Sequence, residues 1–129
     1  MIFEQLRENL RTPYIPSGFS SRLSMHEAIK AQLYVLGFRL HLIPVLEASC
    51  NHNADLSRID CLFLNGNNVI CGIEVDYSIK AKSIKKLCQF ESEVEKIIIS
   101  YGREAARSKA VYRHKEHLVD IKHFILYPI

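Results

Sequence analysis

Three acidic residues lie inside two stretches that otherwise have the composition of buried β-strands. Asp60 interrupts one apolar, β-branched run, and Glu74 and Asp76 interrupt the next one. An ionised carboxylate is costly to bury unless it is paired, hydrogen-bonded or bound to a metal ion. Hard divalent cations such as Mg²⁺ take carboxylate oxygens as ligands. The three acids therefore predict a cation site on two neighbouring strands.

Basic residues follow these acids closely along the chain. A lysine-rich segment comes directly after the second strand and holds Lys80, Lys82, Lys85 and Lys86. Residues 1–79 carry 6 basic and 8 acidic residues, whereas residues 80–129 carry 11 basic and 6 acidic ones. An acidic cluster beside a basic half suits a metal-dependent enzyme that acts on a polyanion. An ordinary mixed, solvated surface would carry the same charges.

Length and composition predict one domain. The chain has 129 residues, of which 48% are hydrophobic and 24% charged, which is enough for one core and too little for two ordinary domains. No apolar run approaches the length of a membrane span, and the N-terminal sequence lacks the pattern of a signal peptide, so we expect a cytoplasmic protein. The four cysteines form no C-x-x-C pair, and we expect Cys61 and Cys71 to be buried as thiols.

The N-terminal segment predicts a short helix followed by an irregular arm. Apolar residues with helical spacing occupy residues 2–11, and two prolines and a glycine follow them. We therefore divide the chain into an N-terminal helix and arm (1–23) and a single α/β domain (24–129). Ser24 and Glu27 have the spacing of a capping box that would begin the second helix, and Gly37 is the residue expected to end it.

The rest of the chain alternates strands and helices. A first strand follows Gly37 and contains Phe38, Leu40 and Leu42 before Pro44, which favours the edge of a sheet. The later elements are strands over 57–64 and 69–77, a helix over 83–95, a strand over 96–101, a helix over 103–118 and a strand over 123–127. This order predicts an α/β fold, with a mixed central β-sheet flanked by helices and an α-β-β-β-α-β core.

The metal site requires a particular register in the hairpin. Opposed residues of an antiparallel pair point to the same face of the sheet. A loop of two or four residues between the strands would place Asp60 opposite Ile73, and Asp60 and Glu74 would then point to opposite faces of the sheet. A three-residue loop over 66–68, or a β-bulge, places Asp60 opposite Glu74. We predict one of these two, with Asn68 near the left-handed region.

The pattern of acids and elements over residues 24–101 resembles the PD-(D/E)XK nuclease superfamily, which has the restriction-endonuclease-like fold. The resemblance implies that Asp60 and Glu74 bind one or two magnesium ions, and that Glu27 supplies a further ligand from the first helix. Members of the superfamily place a lysine two residues after the glutamate, where this chain has Asp76. The resemblance then implies that Asp76 is an extra ligand and that Lys82 or Lys86 is the displaced lysine.

The function implied by the resemblance is Mg²⁺- or Mn²⁺-dependent endonuclease activity on DNA, with Asp60, Glu74, Lys82 and Lys86 as catalytic residues. The positions of Lys86, Leu87 and Phe90 are also similar to a nuclease-like domain of replication-relaxation and mobile-element proteins. Specificity would come from a homodimer or from a partner protein. The arm would then be the dimer contact, unless it packs within its own chain. Two alternatives stay open: a degenerate nuclease fold that binds nucleic acid or a protein without cleavage, and an unrelated α/β domain with structural salt bridges such as Asp76 to Lys80.

Overall fold

The computed structural model describes residues 1–49, 58–102 and 120–126, apart from the side chain of Ser21. In chain order the elements of these ranges are α1 (Ile2–Asn9), α2 (Ser21–Arg39), β1 (Ile43–Ser49), β2 (Arg58–Asn65), β3 (Asn68–Asp76), α3 (Ala81–Cys88), β4 (Glu95–Ser100) and β5 (Lys122–Ile125). The predicted helix over 103–118 and the end of the last predicted strand lie outside the described residues. No helix within the described ranges is both long and apolar enough to cross a membrane.

The strands form one five-stranded sheet in the order β1-β2-β3-β4-β5. The first three strands are antiparallel neighbours, and β3, β4 and β5 run parallel. The parallel pairing of β3 and β4 needs a crossover connection, and α3 lies in it. The predicted α/β fold with a mixed sheet flanked by helices is therefore confirmed.

Both faces of the sheet are covered by apolar side chains. Successive residues of β4 point to opposite faces, and they belong to different clusters. Ile97 and Ile99 pack in the cluster that contains the core residues of α1 and α2. Ile98 packs in the second cluster, with Ile84 and Leu87 of α3. The continuous apolar run of β4 is thus explained by burial on both sides, as predicted. The free thiols of Cys61 and Cys71 are buried, also as predicted.

Helix α1 is attached to the sheet by apolar packing and by a long-range cap. Leu6 and Leu10 are buried in the main core. At the start of the helix, the backbone N–H of Phe3 donates a hydrogen bond of 2.8 Å to Glu95 Oε2, and that of Ile2 donates one of 3.3 Å to Oε1. A carboxylate from β4 therefore satisfies N–H groups that a helix cannot satisfy internally. The apolar side of α1 therefore packs inside this chain, and the contact of the arm with a second copy stays a prediction.

Glu95→Ala should lower the free energy of unfolding by about 1–3 kcal/mol, because two helix N–H groups lose a charged acceptor in a partly buried position. Urea unfolding followed by circular dichroism measures the change. Glu93→Ala is the matched control, since the Glu93 carboxylate is exposed and its removal should leave stability unchanged. Equal losses in the two variants would contradict the capping role of Glu95.

The predicted start of the second helix is wrong by three residues. The helix begins at Ser21 with Ser20 as its N-cap, so Ser24 lies within the first turns and α2 spans the predicted domain boundary. Ser24 donates its backbone N–H to the Ser20 carbonyl at 3.0 Å. The Glu27 carboxylate is 2.9 Å from Lys30 Nζ. An ion pair within α2 therefore uses the side chain that the capping box required.

The predicted end of this helix at Gly37 is also wrong. Gly37 lies inside α2, which continues to Arg39. A Cβ at this position would lie 2.9 Å from Phe63 Cε1 and 2.9 Å from Pro44 Cβ. The glycine is therefore needed for close packing of α2 on β1 and β2. The turn into β1 is made instead by His41, which has a φ of 61°.

Two further predicted boundaries differ from the structure. Phe38 belongs to α2 and not to the first strand, which begins at Ile43 and lies at the sheet edge predicted from Pro44. The helix predicted over 83–95 ends at Cys88. The Phe90 ring then lies against Gly72, where an added Cβ would be 2.8 Å from Phe90 Cε2. This packing of Phe90 on the backbone of β3 accounts for the early end of the helix.

The hairpin between β2 and β3 has a two-residue turn. Asn65 pairs with Asn68, so the turn consists of Gly66 and Asn67. The positive φ of 63° lies at Gly66, a conformation that glycine adopts without steric cost. The predicted three-residue loop and left-handed Asn68 are therefore wrong.

A β-bulge sets the register that the metal site needs. The pairing of β2 with β3 shifts by one residue between Leu64 and Phe63. On the far side of this shift from the turn, Cys61 pairs with Ile73. The next residue on each strand places Asp60 opposite Glu74. The predicted bulge alternative is thus confirmed, and it brings the acids of the two strands to one site.

Candidate metal centre

The three acids predicted from the sequence meet at one site. Asp60 lies on β2, and Glu74 and Asp76 lie on β3. One carboxylate oxygen from each residue lies within 4.8 Å of the other two. Glu74 and Asp76 are only 2% and 6% exposed. The group could therefore hold a small cation that takes oxygen ligands.

The carboxylates of Asp60 and Glu74 each accept a hydrogen bond from the backbone of the opposite strand. The backbone N–H of Asp60 donates to Glu74 Oε2 at 2.8 Å, and the N–H of Val75 donates to Asp60 Oδ2 at 2.8 Å. These two bonds link β2 to β3 beyond the last paired residues of the hairpin. Both side chains are consequently fixed in position, and only part of their acceptor capacity is used.

Asp76 carries a buried oxygen that lacks a donor. Its carboxylate accepts a hydrogen bond from the Ser83 hydroxyl at the start of α3. No donor among the described residues reaches Asp76 Oδ2, which is buried. A buried acceptor without a partner is unfavourable and rare in folded proteins. A cation among the three carboxylates would satisfy this oxygen, and the donor set of three acids fits Mg²⁺ or Mn²⁺.

Helix α3 brings one of the two predicted lysines to the acids. Lys86 Nζ lies 3.3 Å from Glu74 Oε1, and the lysine side chain is mostly buried. Lys82 is exposed and lines the same cleft. The two lysines lie four residues apart on one side of the helix, but only Lys86 is placed against the carboxylates.

Glu27 lies outside the group of three acids. Its carboxylate is directed to Lys30 and lies 3.7 Å from His26 Nδ1. His26 Nε2 in turn lies 3.5 Å from Asp60 Oδ2. The imidazole therefore separates Glu27 from the carboxylates that could hold a cation.

His26 is the site residue that the sequence interpretation missed. It lies on α2, and its contact with Asp60 raises the pKa of the imidazole. A signal was available, since His26 precedes the core residues Ile29 and Leu33 by three and seven positions and so shares their side of the helix. From this position it can donate a hydrogen bond to Asp60 and hold that carboxylate in place.

The surroundings of the three acids shift their pKa values in different directions. Burial, together with the nearby charge of Asp60, raises the pKa of Glu74 to about 7. Burial also opposes ionisation of Asp60, but the hydrogen bonds from His26 and from the Val75 N–H outweigh it and lower the Asp60 pKa. Burial raises the pKa of Asp76. Of the three carboxylates, Asp60 therefore ionises most readily, and a nearby positive charge would favour the ionised form of Glu74.

The affinity for Mn²⁺ should rise with pH up to about 7 and then become constant. Below that value a cation has to displace the proton of Glu74, whose pKa is raised to about 7. One displaced proton makes the dissociation constant fall by about tenfold per pH unit. Isothermal titration across about pH 5.5 to 8.5 measures this dependence. A dissociation constant that does not change over the range would contradict the linkage between Glu74 and the metal.

The site lies in a cleft of about 250 Å³ whose remaining walls are basic and aromatic. Arg22, Lys80, Lys82 and Tyr77 line it together with the acids. The Arg22 guanidinium lies 4.2 Å from the centre of the Tyr77 ring, a cation–π contact at the edge of the cleft. Cations around a group of carboxylates would attract an anionic substrate to a bound metal ion.

Comparison of the chain with protein-family models, with curated proteins and with solved structures finds no match. The likeness to the PD-(D/E)XK superfamily therefore stays a prediction based on the order of the elements and on the short motif. Function belongs to the site and not to the fold. The function of this chain therefore depends on the geometry of Asp60, Glu74, Asp76 and Lys86.

Proposed function

We propose that this protein is a Mg²⁺- or Mn²⁺-dependent endonuclease that hydrolyses phosphodiester bonds in DNA. The observation that carries the proposal is the Asp76 carboxylate, whose buried Oδ2 lacks a donor among the described residues and which offers one oxygen within 4.8 Å of ligand atoms from Asp60 and Glu74. An acidic group held for structural reasons alone would have its buried oxygens satisfied by donors. A buried carboxylate oxygen without a donor, in a group of three acids, fits a cation site.

The residues of the chain have distinct roles in this reaction. Asp60, Glu74 and Asp76 would hold the cation, which when bound neutralises charge on the phosphate and lowers the pKa of a water molecule. His26 and the Val75 N–H hold Asp60 in the orientation for binding. Lys86, at 3.3 Å from Glu74, places a positive charge beside the cation-binding carboxylates, where it can orient the attacking water.

The walls of the cleft support a nucleic-acid substrate. Arg22, Lys80 and Lys82 are exposed cations around the acids, and they can contact phosphates on either side of the one that is cleaved. The proposal includes a cytoplasmic location, which the buried free thiols of Cys61 and Cys71 support because thiols persist in a reducing compartment.

The test has two stages. Isothermal titration measures Mn²⁺ and Mg²⁺ binding to the wild-type protein, and a cleavage assay then compares duplex DNA, single-stranded DNA and RNA with Mg²⁺, Mn²⁺ or EDTA present. Binding together with metal-dependent cleavage of DNA is the expected result. Absence of Mn²⁺ binding, both alone and with DNA present, would overturn the metal-site proposal.

A second candidate is a nuclease-fold module that binds nucleic acid or a protein partner without cleaving DNA. The observation that favours it is the replacement of a lysine: Asp76 occupies the position where the PD-(D/E)XK superfamily has its lysine. This candidate predicts DNA retention in a mobility-shift assay and an absence of cleavage with either cation. Metal-dependent cleavage that Glu74→Gln abolishes would exclude it.

A further inference from the structure

Two aromatic side chains line the cleft beside the three acids. Tyr77 directly follows Asp76 along the chain, and Tyr77 and Tyr101 are both in the cleft wall. Their ring centres are 5.7 Å apart, and the rings meet edge to face at an angle of 84°. Tyr101 is buried, whereas Tyr77 is 36% exposed. An aromatic ring is thus accessible to solvent next to a residue of the candidate metal centre.

The Tyr77 ring is held in place by its neighbours. The backbone N–H of Gly102 donates a hydrogen bond of 2.7 Å to the Tyr77 carbonyl. A Cβ added at Gly102 would lie 3.0 Å from both Cδ1 and Cε1 of the ring, so the backbone of Gly102 packs closely against Tyr77. A ring that is already fixed by packing loses little conformational freedom when it binds a ligand.

Arg22 lies over the Tyr77 ring. Its guanidinium carbon is 4.2 Å from the ring centre, and the Arg22 side chain is exposed. A guanidinium group is planar, so its free side can stack on a flat base while its N–H groups bind phosphate oxygens. Tyr77 and Arg22, which we name the stacking pair, therefore offer a platform for a nucleobase beside the acids.

The cleft is narrow and its acids lie deep. Glu74 and Asp76 are buried, so a phosphate has to enter the cleft to reach a cation that they hold. The cleft has a volume of about 250 Å³, below the range of roughly 300–1,000 Å³ that is usual for small-molecule sites. The bases of a duplex are stacked on each other, whereas those of a single strand are free to stack on protein side chains. Both properties favour a single strand.

Cations lie on two sides of the acids. Arg22 belongs to α2, and Lys80 and Lys82 belong to the start of α3. These helices cover opposite faces of the sheet, and all three cations line the cleft. The backbone of a nucleic-acid strand that crosses the acids would therefore meet positive charge on both sides of the cleaved phosphate.

We propose that the substrate is single-stranded DNA and that the stacking pair binds the base next to the phosphate that is cleaved. This inference rests on the proposed endonuclease function and specifies its substrate. Tyr77 and Arg22 select an unstacked base without reading the sequence, because every base has a flat face. Lys80 and Lys82 contact the phosphates and contribute to affinity without this selection.

Fluorescence anisotropy in EDTA tests the stacking. It compares an oligothymidylate with an abasic oligonucleotide of the same length, which has the same phosphates and lacks the bases. Wild type should bind the oligothymidylate about 10- to 100-fold more tightly. Tyr77→Leu should lose about tenfold of this preference and keep the affinity for the abasic strand. Tyr77→Phe retains the ring and should retain the preference.

Tyr34→Leu is the matched control, since Tyr34 is an exposed tyrosine that does not line the cleft, and it should bind as wild type does. Urea unfolding checks that each variant is folded. Equal affinity of wild type for the two oligonucleotides would overturn the proposal. A full preference in Tyr77→Leu, or an equal loss in Tyr34→Leu, would also overturn it.

Arg22→Lys separates stacking from charge. Lysine keeps the positive charge but has no plane to stack on a base, so the preference should fall by about threefold or more. An unchanged preference would overturn the role of Arg22. Wild type should also bind a single strand about tenfold more tightly than a duplex of the same sequence, and equal affinities would overturn the choice of substrate.

Failure of this inference is distinguishable from failure of the proposed function. The anisotropy measurements are made without a metal ion and without cleavage, whereas the endonuclease function is tested by Mn²⁺ binding and by cleavage. Metal-dependent cleavage without a preference for bases would overturn the stacking inference alone. A preference for bases without Mn²⁺ binding would overturn the endonuclease function, and with it the assignment of single-stranded DNA as a substrate.

Discussion

At about pH 8, Glu74→Gln should lower the affinity for Mn²⁺ by about 100-fold or more and should also stabilise the metal-free protein. The loss of affinity follows from replacing a carboxylate ligand by an amide. The gain in stability follows from burial, which raises the pKa of Glu74 to about 7 from 4.5. A single substitution thus shows both how much Glu74 contributes to Mn²⁺ affinity and how much its burial lowers the free energy of unfolding.

The sign of the stability change depends on pH. Between the unfolded and folded pKa values, folded Glu74 keeps a proton that the unfolded chain releases, so this contribution to stability is complete below about pH 4.5 and is lost as the pH rises to about 7. Glutamine does not ionise. The advantage of Glu74→Gln should therefore grow over this interval to about 1–3 kcal/mol, and loss of the 3.3 Å contact with Lys86 offsets part of it.

Urea unfolding of the metal-free protein at about pH 5 and pH 8 measures the effect. Glu93→Gln is the control, because Glu93 is an exposed glutamate outside the site. If Glu74→Gln binds Mn²⁺ as tightly as wild type, Glu74 is not a ligand. If its stability is unchanged at the higher pH, then the ionised form of Glu74 is not destabilising in the fold.

Lys86→Met should lower the rate of metal-dependent DNA cleavage by about 10²- to 10⁴-fold while changing Mn²⁺ affinity by less than about tenfold. Lys86 contacts Glu74 Oε1 at 3.3 Å, so it can act on the water and phosphate beside a bound cation without being a ligand. Methionine preserves the length of the buried side chain, so the packing of α3 should be maintained.

Two other lysines of α3 provide the comparison. Lys85→Met is the matched control on the neighbouring, exposed residue, and it should cleave at the wild-type rate. Lys82→Met, at the wall of the cleft, should weaken DNA binding, with an effect that diminishes at high salt. A larger loss of the cleavage rate in Lys82→Met than in Lys86→Met would identify Lys82 as the displaced lysine.

Several features were predictable because they depend on local pattern. The apolar run of β4 indicated a strand buried on both sides, and β4 is indeed covered by both clusters. Pro44 predicted an edge strand because proline cannot donate to a neighbour. Acids inside otherwise apolar strands indicated a site, because the cost of burying charge does not depend on the rest of the fold.

Other features required the tertiary structure because they depend on contacts between distant residues. Gly37 looked like a helix end, but its function is to let α2 approach Phe63 and Pro44. The contact of His26 with Asp60 depends on how α2 packs on the sheet. Similarly, α3 ends before Phe90 because that ring packs on Gly72.

The sequence by itself determined the class of the fold, the position of the acids in two adjacent strands and the presence of lysines after them. Whether the acids meet was decided by a single β-bulge, since the alternation of side chains reverses with each one-residue shift of register. The packing of α3 likewise decided that Lys86, and not Lys82, contacts Glu74. Local sequence determines which side chains are buried, and long-range packing determines which of these side chains contact each other.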